Sequence, residues 1–160
     1  RTSSAASDVY KRQVKPFLEF ENKIAVLPGL TSNTGANDIQ LKTTSNDNFI
    51  FMEMIKSSKE WGDKNNMMYV VGATKPGHIE KIRSLIPDHF LLMPGVGAQG
   101  GDLNEICKYA INDNIGIIVN SSRSIIYASD NETYASAAAE QAMILQNKMK
   151  VILTKRKYNS

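Results

Sequence analysis

Short runs of apolar residues alternate with polar, glycine-containing loops along most of the chain. Four such runs are Lys23–Pro28, Met67–Val71, Phe90–Met93 and Ile115–Val119. Their apolar residues are largely consecutive rather than alternating, which is typical of strands buried on both faces of a parallel sheet. The pattern therefore predicts four parallel strands.

Apolar residues at helical spacing lie between and after these strands. We expect helices over about residues 48–61, 78–85, 102–112 and 134–153, with Asp102 as the N-cap of the third. Strand, loop and helix in repeated succession predict an α/β fold.

The loops that follow the strands carry the glycines and small polar residues, whereas the returns to the next strand are plain. This asymmetry is typical of a (β/α)₈ TIM barrel, whose chemistry lies at the carboxyl ends of the strands. A complete barrel needs about 250 residues, and the chain has 160. We therefore predict the C-terminal half of a barrel, about strands 5–8.

Residues 1–13 differ from the rest of the chain, because they show no apolar period and no helix cap. Asp8–Gln13 look like a translation of the transposase adaptor used in sequencing libraries, and Ser3–Ser7 continue the match. We expect a disordered, adaptor-derived leader over 1–13. The partial barrel would cover 14–153, with a frayed basic tail over 154–160.

The composition is that of an ordinary globular protein, with 42% apolar and 22% charged residues. Every apolar run is far shorter than the roughly 20 residues needed to span a bilayer, so no membrane association is expected. The single cysteine, Cys107, excludes an internal disulfide and fits a reducing compartment, which predicts a cytoplasmic protein. We expect Cys107 to be a buried small hydrophobe.

The charge gives no reason to expect nucleic acid as a partner. The formal net charge is +3, of which the leader supplies most, and the basic residues after Lys148 suit a solvated helix end. His78 and His89 have no second ligand at metal spacing, so we expect both at the surface and no metal.

A glycine pattern follows the third strand and precedes a helix. Gly95-x-Gly97-x-x-Gly100 matches the dinucleotide fingerprint of a Rossmann fold. That fold expects an acidic residue about 20 positions on, where this chain has Asn120–Ser122. Arg123 could instead bind the 2′-phosphate of NADP, so an NADP-binding Rossmann domain stays open.

The same residues also suit a phosphate monoester. Glycine allows backbone N–H groups to approach an anion, a helix N-terminus adds positive potential, and Arg123 offers a bidentate fork. Barrels commonly bind phosphate with the loops after strands 7 and 8. The glycine and Arg123 loops would hold those positions, either in an enzyme or in a non-catalytic phosphate-binding module.

Three segments resemble orotidine 5′-phosphate decarboxylases, most of all the larger type found in many bacteria. They read VVGAT from Val70, FLLMPGVGAQGGD from Phe90 and VNSSRSIIYA from Val119. The resemblance covers about residues 14–153. It implies a dimeric (β/α)₈ barrel that converts orotidine 5′-phosphate to UMP in pyrimidine biosynthesis, without a metal or cofactor.

The resemblance also implies roles for individual residues. Gln99 and Arg123 would bind the phosphate, helped by backbone N–H groups near Ser122. Ser32 would hydrogen-bond the pyrimidine and Pro94 would line the base pocket. The predicted substrate-binding set is Ser32, Pro94, Gly97, Gln99, Ser122 and Arg123.

The chain departs from the family in one respect. The family's chemistry depends on a D-x-K-x-x-D segment, whose lysine protonates the carbanion left by loss of carbon dioxide. No such segment occurs here, and Asp63-Lys64 offers no matching pattern. We therefore expect the catalytic Lys/Asp segment upstream of Val14, no catalytic residue in this chain, and no activity of this chain by itself.

Overall fold

A computed structural model describes residues 5–73, 76–96 and 102–159. Its strands form one four-stranded sheet in which every neighbouring pair is parallel and the spatial order follows the chain order. All four predicted strands are present: the second has the predicted ends, and the ends of the other three are shifted by one or two residues. The strands are β1 (Ala25–Leu30), β2 (Met67–Val71), β3 (Leu91–Pro94) and β4 (Ile117–Asn120).

Helices connect consecutive strands, which confirms the predicted α/β alternation. Among the described residues, one α-helix precedes β1, one lies in each of the three connections and two follow β4, and a short 3-10 helix (Thr34–Asn37) lies in the first connection. The α-helices are α1 (Ala5–Leu18), α2 (Ile50–Ser58), α3 (Pro76–Leu85), α4 (Leu103–Ala110), α5 (Arg123–Ile126) and α6 (Tyr134–Asn159).

The core lies between one face of the sheet and the helices that connect its strands. Fully buried aliphatic and aromatic side chains from both layers meet there. Each is worth about 1.5–3 kcal/mol relative to remaining in water. The largest include Tyr69, Leu91 and Met93 from the strands and Phe51, Ile55, Ile79, Ile82 and Ile106 from the helices.

The second face of the sheet is uncovered. Val26 in β1 and Ile118 in β4 are 46% and 47% exposed, and Val70 and Leu92 between them are half-buried. The expectation of strands buried on both faces is therefore wrong for this chain. Four strands supply no opposite wall, whereas in a closed barrel the inward side chains are covered by the strands across the axis.

Helices occupy both ends of the described chain. Residues 5–13, expected as part of the leader, form the first part of α1, and α6 continues through the expected tail to Asn159. The adaptor origin of the leader and the bounds 1–13, 14–153 and 154–160 stay predictions. Alanine, lysine, arginine and glutamine favour helix whatever their apolar spacing, and lysine and arginine are favourable near a helix C-terminus.

The strand order decides between the two α/β interpretations. A doubly wound Rossmann sheet reverses its strand order at the point where the ligand binds, whereas this sheet runs β1-β2-β3-β4 without reversal. The Rossmann interpretation is therefore wrong. In the part of the chain that the structure describes, no helix is long and apolar enough to cross a membrane.

The amino-terminal edge of the sheet, where the strands begin, is stabilised by Arg83 of α3. Its guanidinium donates to carbonyl oxygens of five residues that lead into β3 and β4, at distances of 2.6–3.2 Å. Burial lowers the pKa of Arg83 to about 10, against the opposing charge of Asp88. The acceptors are Ile86, Pro87, His89, Ala110 and Gly116.

Both histidines are less exposed than the sequence predicts. His89 at the amino-terminal edge is 8% exposed, with its ring 5.6 Å from that of Tyr69. His78 is half-buried, and its ring lies edge-on to Phe49 and Phe51 at 5.2 and 5.6 Å. An imidazole has a flat apolar body, and tertiary packing against aromatic rings buries it here.

Candidate functional site

The four strands end at the same edge of the sheet, which we call the carboxyl-terminal edge. Backbone hydrogen bonds continue past the strand ends there: Gly72 N–H donates to the Leu30 carbonyl at 2.7 Å and Ala73 N–H to the Pro94 carbonyl at 3.1 Å. Pro94 is in register with Asn120. The loops that carry the predicted site residues therefore form one row of neighbours.

Ser32 lies in the loop after β1 and packs against Gly72 after β2. A Cβ at Gly72 would come within 2.7 Å of the Ser32 backbone nitrogen and 3.1 Å of its Cα. Real Cβ atoms do not approach backbone so closely, so only glycine permits this contact. The Ser32 Oγ is buried and has no hydrogen-bond partner among the described residues.

The loop around Ser32 is ordered by its own polar residues. Thr31 N–H donates to Oε1 of Gln40 at 2.9 Å, and the Thr31 hydroxyl lies within hydrogen-bond distance of both Asn33 and Gln40. These bonds satisfy the backbone immediately before Ser32. The Ser32 hydroxyl is thus the polar group of this loop for which a ligand could supply a partner.

Ser121 joins the loops after β3 and β4. Its hydroxyl lies 3.4 Å from the carbonyl oxygen of Val96 and within hydrogen-bond distance of the Ser124 hydroxyl. The start of the glycine loop is thereby connected to α5, which begins with Arg123. Sequence reasoning missed this connection, although the position of Ser121 directly after a predicted strand was a signal for it.

The glycine loop is described only at its start. Gly95 has a φ of +93°, a conformation that L side chains rarely adopt, and this supports a turn that depends on glycine. Gly97, Gln99 and Gly100 lie outside the described residues, and their predicted contacts stay predictions. Pro94, which precedes the loop, is half-buried at the end of β3.

Arg123 is the first residue of α5, and its side chain is exposed. Among the described residues it forms no ion pair. The neighbouring Ser122 is also exposed, and its carbonyl accepts from the N–H groups of Ile125 and Ile126 at 3.0 and 2.8 Å. An exposed guanidinium without a carboxylate partner is free to bind an anion bidentately.

The N-terminus of α4 is less suited to an anion than the sequence indicates. Asp102 is the N-cap, as predicted, and its carboxylate accepts from the Asn104 N–H at 2.8 Å. A phosphate at this helix end would meet a carboxylate that already occupies one of the free N–H groups. Of the two groups, Arg123 is therefore the better placed to bind an anion.

Other reactive groups contribute little to this edge. Cys107 is buried in α4, as predicted, and burial raises the pKa of its thiol to about 11, so it is protonated and a poor nucleophile at neutral pH. Within the described ranges, no three acidic, histidine or cysteine side chains lie close enough together to hold a metal ion.

The strand order, the uncovered face of the sheet and the loops after the strands together define the class of protein. It is an α/β chain that forms part of a TIM barrel, with its candidate site at the carboxyl-terminal edge. Known proteins agree with this class and narrow it. The chain is 51% identical over 139 residues to an orotidine 5′-phosphate decarboxylase of Christiangramia forsetii and 49% identical over 140 residues to one of Phocaeicola vulgatus. These alignments cover 87% and 88% of the chain.

Solved structures show the same fold. The chain resembles Leishmania donovani UMP synthase with a TM-score of 0.69 and 30% identity, over 82% of this chain and 29% of that one. It also resembles Leishmania donovani OMP decarboxylase with a TM-score of 0.71 and 23% identity, over 94% of this chain and 64% of that one. No protein-family model matches the chain.

The chain is therefore homologous to orotidine 5′-phosphate decarboxylases, and the recognition based on its motifs is confirmed. It spans about half the length of the curated relatives it matches, 51% and 52% of the two compared above. The predicted partial barrel is likewise confirmed by these structures, whereas the numbering of its strands as 5–8 stays a prediction.

Proposed function

We propose that this chain supplies the phosphate- and pyrimidine-binding half of an orotidine 5′-phosphate decarboxylase. The parent protein would convert orotidine 5′-phosphate to UMP and carbon dioxide. One observation carries the proposal: the exposed guanidinium of Arg123, which forms no ion pair with any described residue, and the Ser32 hydroxyl, which has no hydrogen-bond partner among them, lie on the same edge of the sheet. A nucleotide presents a dianion and a polar base, which are the partners that these groups require.

The proposed roles divide the substrate between two pairs of loops. Arg123, with Gln99, Gly97 and the backbone near Ser122, binds the phosphate. Ser32 rotates its hydroxyl from Gly72 towards the pyrimidine, and Pro94 lines the base pocket. Binding energy from the remote phosphate can then organise the site around the carbon that loses carbon dioxide.

The proton donor belongs to another part of the parent protein. Loss of carbon dioxide leaves a carbanion, and a lysine held among carboxylates stays charged and can protonate it. No D-x-K-x-x-D segment occurs in this chain. We therefore propose that the chain binds the nucleotide but does not decarboxylate it.

Titration calorimetry with UMP tests the binding role. Replacing Arg123 with alanine should weaken binding by about 10- to 100-fold, since a hydrogen-bonded charge contributes about 1.5–3 kcal/mol. Lys64→Ala is the matched control, because Lys64 is an exposed cation at the opposite edge of the sheet. An equal loss in both variants would contradict a phosphate site at Arg123. Inorganic phosphate that binds as tightly as UMP would instead favour a non-catalytic phosphate-binding module.

Two experiments test the division of labour. Purified chain incubated with orotidine 5′-phosphate should produce no UMP, and detectable turnover that copurifies with the chain would contradict the proposal. In an intact gene, the frame upstream of the Val14 codon should encode D-x-K-x-x-D. Its absence from an active parent enzyme would show that the proton donor lies elsewhere.

We also propose a cytoplasmic location and a homodimeric parent. The single, buried Cys107 supports the first, because a protein of the reducing cytosol has no need of disulfides. The second rests on the family resemblance, in which two active sites are built across the interface.

A further inference from the structure

We propose that two copies of this chain assemble into one closed eight-stranded barrel, with β4 of each copy beside β1 of the other. This assembly is a property of the 160-residue chain, independent of the proposed function. It differs from a homodimer of complete barrels, because each copy contributes half of the wall.

The sheet has two unpaired edges that could pair with each other. All four strands are parallel and in chain order, so β1 and β4 are its two unpaired edges and point the same way. A two-fold rotation about the barrel axis sets each β4 beside the partner's β1, again parallel. A closed TIM barrel has eight strands, so the assembly is complete at two copies and no edge remains for further pairing.

The uncovered face of the sheet carries branched aliphatic side chains. Val26, Val70, Leu92 and Ile118 lie on it, and Val26 and Ile118 are about half exposed. Branched aliphatic residues of this kind fill the interior of TIM barrels. A second copy would supply the same four side chains from the opposite wall.

The surfaces beside β1 and beside β4, the two flanks of the sheet, are both apolar. On the β1 side, α1 and α2 border a groove of about 950 Å³, where Phe17 and Ile39 are 64% and 65% exposed. On the β4 side, Ile126 and Tyr127 are 63% and 77% exposed. Two different apolar flanks suit a head-to-tail contact, in which each surface meets the other kind.

The chain exposes more surface than a compact monomer of its mass. The chain exposes 10520 Å², whereas a compact monomer of its mass, 17.7 kDa, is expected to expose about 7,900 Å². The excess of about 2,600 Å² per chain exceeds the roughly 800 Å² per partner of a standard interface. A formal net charge of only +3 puts little repulsion between identical copies.

Sedimentation velocity on the complete chain tests the assembly. We expect a compact species of two chains that dissociates on dilution to a folded or partly folded single chain. A monomer at every concentration would overturn the proposal. So would a continuous series of larger species, because open-ended growth means that the sheets do not close.

A mixing experiment separates ring closure from simple stacking of the two apolar faces. Phe17→Lys alters the β1 flank and Ile126→Lys the β4 flank, and both side chains are largely exposed in the single chain, so folding should tolerate them. Each variant by itself carries the change in both contacts of the ring and should fail to dimerise. Mixed in equal amounts, the two can form a ring with one unaltered contact, so part of the dimer should return.

The control is Ser84→Lys, which adds the same charge on α3 in the middle of the outer layer, where Ser84 is exposed. It should dimerise like the parent chain, and circular dichroism should give the same helix content for all variants. If mixing restores no dimer although each variant is folded, or if Ser84→Lys abolishes the dimer equally, closure through β1 and β4 is refuted.

Discussion

The two edges of the sheet each present an arginine, and the two arginines have opposite environments. At the amino-terminal edge, Arg83 is half-buried and donates to carbonyl oxygens of five residues. At the carboxyl-terminal edge, Arg123 is exposed and forms no ion pair within the described residues. The first completes the backbone hydrogen bonding of the fold, whereas the second leaves its donors for a ligand.

This difference extends to the rest of each edge. Asn112 donates to the Pro87 carbonyl at 2.7 Å and Lys59 to the Leu85 carbonyl at 2.7 Å, so side chains satisfy the backbone where the strands begin. Where they end, Gly95 has a positive φ and the Ser32 hydroxyl has no hydrogen-bond partner among the described residues. Barrels separate stability and chemistry in this way, between the bottom and the top of the strands.

The largest expected effect on stability comes from a change at the amino-terminal edge. Arg83→Ala should lower the free energy of unfolding by about 2–4 kcal/mol, because several carbonyl groups lose a charged donor. Arg83→Lys should recover only part of this, since an ammonium lacks the planar fork. Urea unfolding measures both, with Lys64→Ala as the surface control. A loss below about 0.5 kcal/mol for Arg83→Ala would contradict the claim that Arg83 stabilises the amino-terminal edge.

The next effect concerns the close contact at the carboxyl-terminal edge. Gly72→Ala should cost about 1–3 kcal/mol and weaken UMP binding, because the new Cβ meets the backbone of Ser32. Gly77→Ala is the matched control, because a Cβ at this helical position meets nothing within 4 Å and should be neutral or stabilising. Equal stabilities for the two variants would mean that the Ser32 loop moves freely.

The burial of His89 should make the stability of the folded chain depend on pH. Burial is the main cause that lowers its pKa below the ordinary 6.5, and the charge of Lys59 adds to it. Below pH 6.5 the unfolded chain takes up a proton that the folded chain resists, so stability falls as the pH falls. We expect a loss of up to about 1 kcal/mol between pH 6.5 and 5.5 that is absent in His89→Phe. Parallel pH curves for the two proteins would contradict a buried neutral imidazole.

The smallest effect on stability is expected at Arg123. Arg123→Ala should change the free energy of unfolding by less than about 0.5 kcal/mol, as for other exposed side chains without partners. The same variant should lose UMP affinity, as proposed above. A large loss of stability would show instead that Arg123 has a structural role like that of Arg83.

Much of the fold was predictable because its signals are local. The apolar runs and the Asp102 cap each depend on a few neighbouring residues, and both appear where expected. The helices over residues 5–13 and 154–159 were not predicted. α1 contains Pro16 and little apolar spacing, and α6 continues into a charged segment, so residue propensity outweighed the pattern there.

The candidate site was predictable in part. Four residues predicted from the sequence follow or end strands at one edge, and their binding roles stay predictions: Ser32, Pro94, Ser122 and Arg123. The contact between Ser32 and Gly72 and the bond from Ser121 to Val96 were not found. Both join residues about 25 to 40 positions apart, and no local spacing encodes which loop approaches which.

By itself, the sequence determined the class of fold, the order of strands and helices, and the residues that follow each strand, because buried strands and helix caps impose short-range patterns. Tertiary structure alone decided that Arg83 donates to backbone carbonyls whereas Arg123 forms no ion pair with a described residue. It also decided that His89 is buried and that one face of the sheet is uncovered. These outcomes depend on which distant groups meet and on how much water is excluded, and a residue's type and neighbours leave both open.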